Sequence, residues 1–179
     1  LCKKFLDLSE VDFFLLPNLE KKFQQETLDL MNIPNHKRIS SKEFRHIKAK
    51  KLIITDHPVV ITGNATRDIS NTPDWIIFWL KNSFLDLKKL NNNKNKIYID
   101  RNDENSHRPL ERSIANEEEI KKYLTDKNFI LAKLHEMNFK EQVDLFNNAE
   151  CVVGLHGGGF ANISFCKPGT KVVELKSLT

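Results

Sequence analysis

Cys151-Val152-Val153-Gly154-Leu155-His156-Gly157-Gly158-Gly159-Phe160-Ala161-Asn162-Ile163-Ser164-Phe165 changes character in its middle. An apolar run suited to a buried strand breaks into three consecutive glycines and resumes as a segment that can be helical. Glycine admits φ > 0 and lets a ligand approach the main chain without meeting a Cβ. The first turn of a following helix adds unpaired N–H groups and the positive end of a dipole, which attract an anion. Gly157, Gly158 and Gly159 are therefore read as a phosphate cradle, with His156 at its lip as a donor or acceptor. A tight strand-to-helix turn without a ligand has the same spacing, and the glycines alone do not choose between the two.

Working outward, strands alternate with helices. Lys171 to Leu175 reads as a strand introduced by the turn Lys167-Pro168-Gly169-Thr170. Phe129 to Leu134 reads as another, and Phe139, Val143, Phe146 and Ala149 mark the buried face of a helix. Ile97-Tyr98-Ile99-Asp100 is a further strand, and Asn116-Glu117-Glu118-Glu119 supplies a cap and an acidic first turn for a helix carrying Ile120, Tyr123 and Leu124. This alternation predicts βαβ crossovers and a parallel sheet, with ligands outside the carboxyl ends of the strands. Arg101 follows one strand end, with Arg108 and Arg112 in the loop beyond it; His156 and the glycines follow another. Guanidinium groups grip phosphate oxygens in pairs, so these arginines facing a helix N-terminus would clamp a diphosphate. Each arginine also reads as a surface salt bridge. Glu174 reads either as a hydrogen-bond acceptor for a ribose or as a solvated edge carboxylate.

The amino-terminal half is less regular. Val11 to Pro17 looks like a buried strand closed by proline, Phe23 to Met31 a short amphipathic helix, and Lys37 to Ser40 and Lys51 to Thr55 further strands. Asp56 to Pro73 reads as a long loop or a linker between lobes. Pro73-Asp74-Trp75 opens a strong helix, with Trp75 and Trp79 either packed in a core or lining a sugar-binding surface. Lys88 to Lys96 is a polar break. The expected division is residues 1–72 as a partial amino-terminal lobe with its connection, and 73–179 as a nucleotide-sugar-binding lobe.

At 179 residues, 40% hydrophobic and 29% charged, the chain fits a soluble globular protein. No apolar run approaches the roughly 18 to 20 residues that span a bilayer, and no signal peptide is visible. Net charge is +4, but basic and acidic residues are interspersed, without the basic face and interleaved aromatics of a nucleic-acid binder. The surplus suits a small anionic ligand or a solvated surface. Three cysteines without a CxxC argue against disulfides or a zinc knuckle and favour a reducing compartment.

Several signatures fail. Phe160 stands where a Walker loop needs lysine and serine or threonine, and Asn162 where a nicotinamide fingerprint needs its third glycine. No G-x-S-x-G accompanies the His-Gly-Gly-Gly, as an esterase would require. No D-x-D, HxH or HExxH is present to hold a metal, so none is expected.

From Lys96 to Leu175 the chain resembles glycosyltransferase family 61. The residues that carry the resemblance are Tyr98-Ile99-Asp100-Arg101, Arg112, Asn116-Glu117-Glu118-Glu119, Phe139-Lys140-Glu141-Gln142, Gly154-Leu155-His156-Gly157-Gly158-Gly159-Phe160-Ala161-Asn162, Pro168-Gly169 and Val173-Glu174-Leu175. Gly158 replaces the family's usual alanine, and Phe160-Ala161 replace leucine and threonine, which removes one hydroxyl. Val11 to Leu90 is similar to the preceding segment only loosely.

The resemblance implies an α/β fold: a Rossmann-like parallel sheet with flanking helices, one lobe and part of the other of a GT-B glycosyltransferase. It implies metal-independent, inverting transfer from a nucleotide sugar, UDP-linked, to a glycan or polysaccharide acceptor. Donor-binding residues would be Arg101, Arg108, Arg112, His156, Gly157, Gly158, Gly159, Asn162 and Glu174. The general base is unassigned, and acceptor contacts would lie outside this stretch. No cofactor beyond the co-substrate and no nucleic acid is expected. The implied setting is polysaccharide biosynthesis in the cytoplasm, with peripheral association at the inner membrane face. The alternatives are a lobe that binds a nucleotide or sugar phosphate without transfer, and an NAD-dependent sugar-nucleotide oxidoreductase or epimerase.

Overall fold

The computed structural model describes residues 7–56, 61–85, 94–101 and 114–176. The chain forms two compact units, residues 1–78 and 79–179.

In the first unit, β1 (Phe14–Leu16) pairs in parallel with β2 (Arg38–Ser40), Leu15 opposite Ile39. Between them runs α1 (Lys22–Leu30), whose first turn is closed by the Lys21 amide donating to the Gln24 side chain at 2.8 Å. The helix ends where Asn32 turns to φ 57°, a left-handed conformation asparagine tolerates. Two expectations fail here. The expected buried strand over Val11 to Pro17 shrinks to three residues with Phe13 and Leu15 exposed, because a two-stranded ladder leaves one face to water. Lys51 to Thr55 forms no strand: Ile54 is 80% exposed, and β-branched propensity alone does not make a ladder.

The expected linker between Asp56 and Pro73 contains α2 (Ala65–Ser70). Its start is fixed by Asn64, whose side-chain oxygen accepts the Arg67 amide at 3.1 Å, and by Asp68, which accepts the Thr62 amide and hydroxyl. The polar residues that suggested a loop are this helix's caps. Next comes α3 (Asp74–Phe84), within which the two units divide.

In the second unit, edge-to-face rings link Trp79 to Phe84, Phe84 to Phe139 and Phe139 to Phe165. Trp79 is thus part of the packing, whereas Trp75 is 41% exposed. β3 (Asn95–Asp100), α4 (Glu117–Asp126), β4 (Phe129–Lys133), α5 (Phe139–Asn147), β5 (Ala149–Leu155) and β6 (Lys171–Leu175) follow in order. Helix α5 starts at a reciprocal cap: the Asn138 side chain accepts the Glu141 amide at 2.9 Å, and the Asn138 amide donates to the Glu141 carboxylate at 2.7 Å. Ala149, expected on the helix face with Val143 and Phe146, instead opens β5, where it is equally buried. Lys96 belongs to β3 rather than to the polar break; residues 88–93 of that break lie outside the described residues.

The sheet is parallel throughout, in the order β4-β3-β5-β6. Ile97, Tyr98 and Ile99 on β3 and Val152 on β5 are at most 2% exposed, the signature of central strands covered on both faces. The order decides where a site belongs. From β3 the chain leaves toward β4, and from β5 it leaves toward β6, so β3 and β5 are neighbours whose onward connections run to opposite sides. In a parallel sheet such a divergence marks where a ligand crevice belongs, here the carboxyl ends of β3 and β5.

Beyond β5, the segment expected to be helical, residues Gly158–Phe165, forms a 3-10 helix. Phe160 is buried beside Gly154 of β5, Phe165 packs on Phe139 of α5, and the Lys81 ammonium donates to the carbonyl of Cys166 at the far end, at 2.6 Å. Among the described residues, no helix is long and apolar enough to cross a membrane.

Candidate functional site

Arg101 and the His156–Gly159 turn meet at this crevice, since one follows β3 and the other β5. The Arg101 Nη1 donates to the His156 carbonyl at 2.7 Å. The guanidinium then lies against Gly157, so closely that a Cβ there would stand 2.6 Å from Nη1. Among the described residues Arg101 pairs with no carboxylate. Its neighbour Asp100, buried, forms an ion pair with Lys121 at 3.1 Å instead. Among the described residues the arginine's charge is thus uncompensated, and it keeps further N–H donors at the strand end.

The glycines supply donors beside it. The His156 amide is spent on the Leu175 carbonyl at 2.9 Å, and the Phe160 amide on the Gly157 carbonyl at 3.1 Å. Among the described residues the amides of Gly157, Gly158 and Gly159 have no backbone acceptor, and the space where a Gly158 side chain would stand is open for 4 Å. Successive amides without a backbone acceptor beside a guanidinium are the kind of arrangement that can bind an anion. A short 3-10 helix adds little dipole, so any attraction for an anion here would rest on the amides themselves and Arg101.

On the other side of the turn, His156 Nδ1 lies 2.6 Å from Glu174 Oε1, and Lys176 Nζ lies 3.0 Å from Glu174 Oε2. The His156 hydrogen bond first, and Lys176 second, hold the Glu174 carboxyl below its ordinary value. A carboxylate can only accept, so Nδ1 donates to Glu174 and Nε2 is the ring nitrogen left for other partners. With the side chain 62% exposed, that nitrogen is open to solvent.

Asn162 serves the turn. Its amide donates to Gln142 Oε1 at 3.0 Å and approaches the Gly159 carbonyl at 3.4 Å. Gln142 in turn donates to the carbonyls of Leu134 and Met137 at 2.9 and 3.2 Å, locking the 3-10 helix to α5 and to the end of β4. Arg101, His156, the three glycines, Asn162 and Glu174 are therefore brought together; Arg108 and Arg112 lie outside the described residues. Sequence reasoning missed Gln142 as a partner of Asn162 and Lys121 as the partner of Asp100. Gln142 stood only within the Phe139–Gln142 resemblance, and Lys121 carried no signal beyond its place one turn after Glu117. Asn116 opens α4 without a side-chain bond to the helix backbone, its amide reaching Glu119 instead.

Among the described residues no group of three or more histidine, cysteine, aspartate or glutamate side chains is gathered to hold a metal ion. Neither a curated protein nor a solved structure matches the chain. The sequence profile of Glycosyltransferase 61 matches residues 11–173, which adds most of the first unit to the region whose motifs carried the resemblance. With this profile covering most of its length, the chain belongs to glycosyltransferase family 61.

Proposed function

We propose that this chain is the donor-side, Rossmann-like lobe, with part of its partner lobe, of a GT-B enzyme that moves a sugar from a UDP-linked donor to a glycan acceptor with inversion and without a metal. Family membership supports sugar transfer; one observation carries the rest. Arg101, at the end of β3, is bonded across the crevice to the turn whose three amides have no backbone acceptor among the described residues.

In the reaction the acceptor hydroxyl oxygen attacks the anomeric carbon, the carbon–oxygen bond to the diphosphate breaks, and the diphosphate leaves with the electron pair. Its growing charge falls among the Gly157–Gly159 amides and the Arg101 guanidinium, preorganised donors that cost no rearrangement at that moment. The acceptor proton goes to His156 Nε2, with Glu174 orienting the ring and stabilising the imidazolium that forms. Attack from the face opposite the departing diphosphate inverts the anomeric centre.

Calorimetry with UDP, GDP and CMP, followed by transfer assays with the matching nucleotide sugars in the presence of chelator, tests this. UDP should bind, and Arg101→Ala should weaken it by about 1.5 to 3 kcal/mol, the worth of a hydrogen bond to a charged group. Binding of UDP unchanged by Arg101→Ala, or a product of retained anomeric configuration, would defeat the proposal.

A further inference from the structure

The opposite rim of the same sheet holds a second concavity. An open groove of about 780 Å³ crosses the starting ends of all four strands, within the range of roughly 300 to 1,000 Å³ of small-ligand clefts. With strands of up to seven residues at about 3.3 Å each, it lies about 20 Å from the Arg101 crevice and is a separate site.

Lys94, Lys96, Lys127, Lys167 and Lys171 line it against a single carboxylate, Glu150. That surplus of four equals the formal net charge of the entire chain, so the remainder of the sequence balances to zero. Among the described residues none of the five ammonium groups has a carboxylate partner. Helix ends explain part of this: Lys127 caps α4, and Lys96 reaches the Lys127 carbonyl at 3.5 Å, where a cation complements the dipole. Lys127 also lies over the Tyr123 ring, 5.7 Å from its centre, but Lys94, Lys167 and Lys171 have no such role among the described residues, and this surplus of positive charge around one concavity is self-repulsive unless an anion enters.

The occupant follows from what lines the groove. No arginine offers a planar fork for nucleic acid, and the Phe129 ring already carries the Lys96 ammonium 5.9 Å from its centre, which denies a base its stacking face. A concave site without protruding apolar side chains does not suit insertion at a lipid surface. Ala149 and Pro168 offer apolar contact to the C–H face of a sugar, with lysines on either side. We propose that this groove binds an anionic saccharide chain, one bearing carboxylate or phosphate groups, and so holds a charged glycan on the rim away from the transfer site. The identity of the occupant as a glycan rests on the sugar-transfer reading; the groove's charge does not.

Calorimetry with a galacturonic acid hexamer tests the proposal, with its neutral galactose counterpart, a short DNA duplex and phosphatidylglycerol vesicles as comparators and UDP as a reporter of the other rim. The acidic hexamer should bind, more weakly as ionic strength rises, and the neutral one should not. Lys94→Glu/Lys167→Glu/Lys171→Glu should weaken the acidic hexamer by about tenfold or more while UDP binding is retained. Should that variant not fold, Lys167→Gln/Lys171→Gln removes charge without reversing it and should weaken the hexamer in the same direction. Absence of hexamer binding, equal binding of the neutral hexamer, indifference to these substitutions, or tighter capture of DNA or vesicles would overturn it. Loss of UDP binding by the unaltered chain with hexamer binding intact would instead remove the donor-site reading and leave the groove standing.

Discussion

The Arg101 guanidinium occupies the space in which a side chain at Gly157 would begin: a Cβ there would stand 2.6 Å from Nη1 and 3.0 Å from Cζ. Gly157 also lies at φ 158°, a backbone region that residues with a Cβ seldom enter. Gly157→Ala should therefore do two things at once. Backbone strain should lower stability by about 1 to 3 kcal/mol, and displacement of the guanidinium should weaken UDP binding as Arg101→Ala does. Urea unfolding and calorimetry on the same preparation read the two effects. Full nucleotide affinity in this variant would show that the contact does not matter for binding.

The next two glycines should part company. A Cβ at Gly158 would meet nothing within 4 Å, so Gly158→Ala should change stability by less than about 0.5 kcal/mol, as surface substitutions do. Alanine is also what the family usually carries at this position and leaves room for a phosphate, so UDP should bind this variant about as well as the native chain. A Cβ at Gly159 would come within 3.1 Å of both Ile99 Cγ2 and Leu134 Cδ1. Ile99 is sealed in the sheet and cannot yield, so Gly159→Ala should cost about 1 to 3 kcal/mol of stability. Thermal unfolding of the pair checks the contrast.

What the sequence made legible was local. β6 begins and ends where its apolar run does, and β5 differs from its expected span only by Ala149 and Glu150, because these strands announce themselves through their own residues. Ile53-Ile54-Thr55 misled for the complementary reason: a ladder needs a partner strand, and no residue within the segment reports whether one is near. The site divides in the same way. Arg101 and the glycines stood out by type and by position at strand ends, but the bond joining residues 55 apart depends on β3 and β5 being neighbours, which the strand order decides. Lys121 gave no signal, because burial is a property of the assembled sheet rather than of the helix.

That buried lysine governs stability beneath Arg101. Burial pulls the Lys121 ammonium down, and the hydrogen bond and charge of Asp100, with Glu117 and Glu118 adding to them, more than reverse this, so it ends above its ordinary value of 10.5. Burial, then the hydrogen bond to Glu117 at 3.0 Å, also raises the Tyr98 hydroxyl. Both groups hold protons more tightly folded than unfolded. Their contribution is complete below the unfolded values and disappears as pH climbs through the folded ones. Unfolding free energy should fall as pH rises beyond about 10, where free tyrosine and lysine lose their protons. At neutral pH Lys121→Met should cost about 3 to 5 kcal/mol by leaving Asp100 buried without its cation, and adding Asp100→Leu should restore part of it. An additive double variant would show that the pair is not coupled.

Gln142 holds Asn162 and two carbonyls at once, so its loss should be felt on both sides of the turn. Gln142→Ala leaves those part-buried groups without their partner and should cost about 1 to 3 kcal/mol. Hydrogen exchange should rise at the Asn162 and Ile163 amides as the 3-10 helix loosens. Gln142→Glu keeps an acceptor for Asn162 but loses the two donated bonds, and should fall between the native chain and the alanine variant.

The His156–Glu174 contact yields the prediction that separates a proton-transfer pair from a surface link. The Glu174 carboxyl sits below its ordinary value of 4.5 because of His156 first and Lys176 second. A depressed carboxyl keeps its contribution above the ordinary value and loses it as pH falls through the lowered one, so the contact should survive mild acid. In a carbon-13 titration His156→Ala should raise the Glu174 carboxyl toward 4.5, and Lys176→Ala should do so less. If Nε2 takes the acceptor proton, His156→Ala should slow transfer by about 10² to 10⁴ while leaving UDP binding nearly unchanged, the range for loss of a general base. Glu174→Gln, which keeps a hydrogen-bonding group beside the ring but removes the charge that stabilises imidazolium, should lower kcat rather than raise the donor KM. Equal loss of UDP affinity in His156→Ala would assign the ring to donor binding instead.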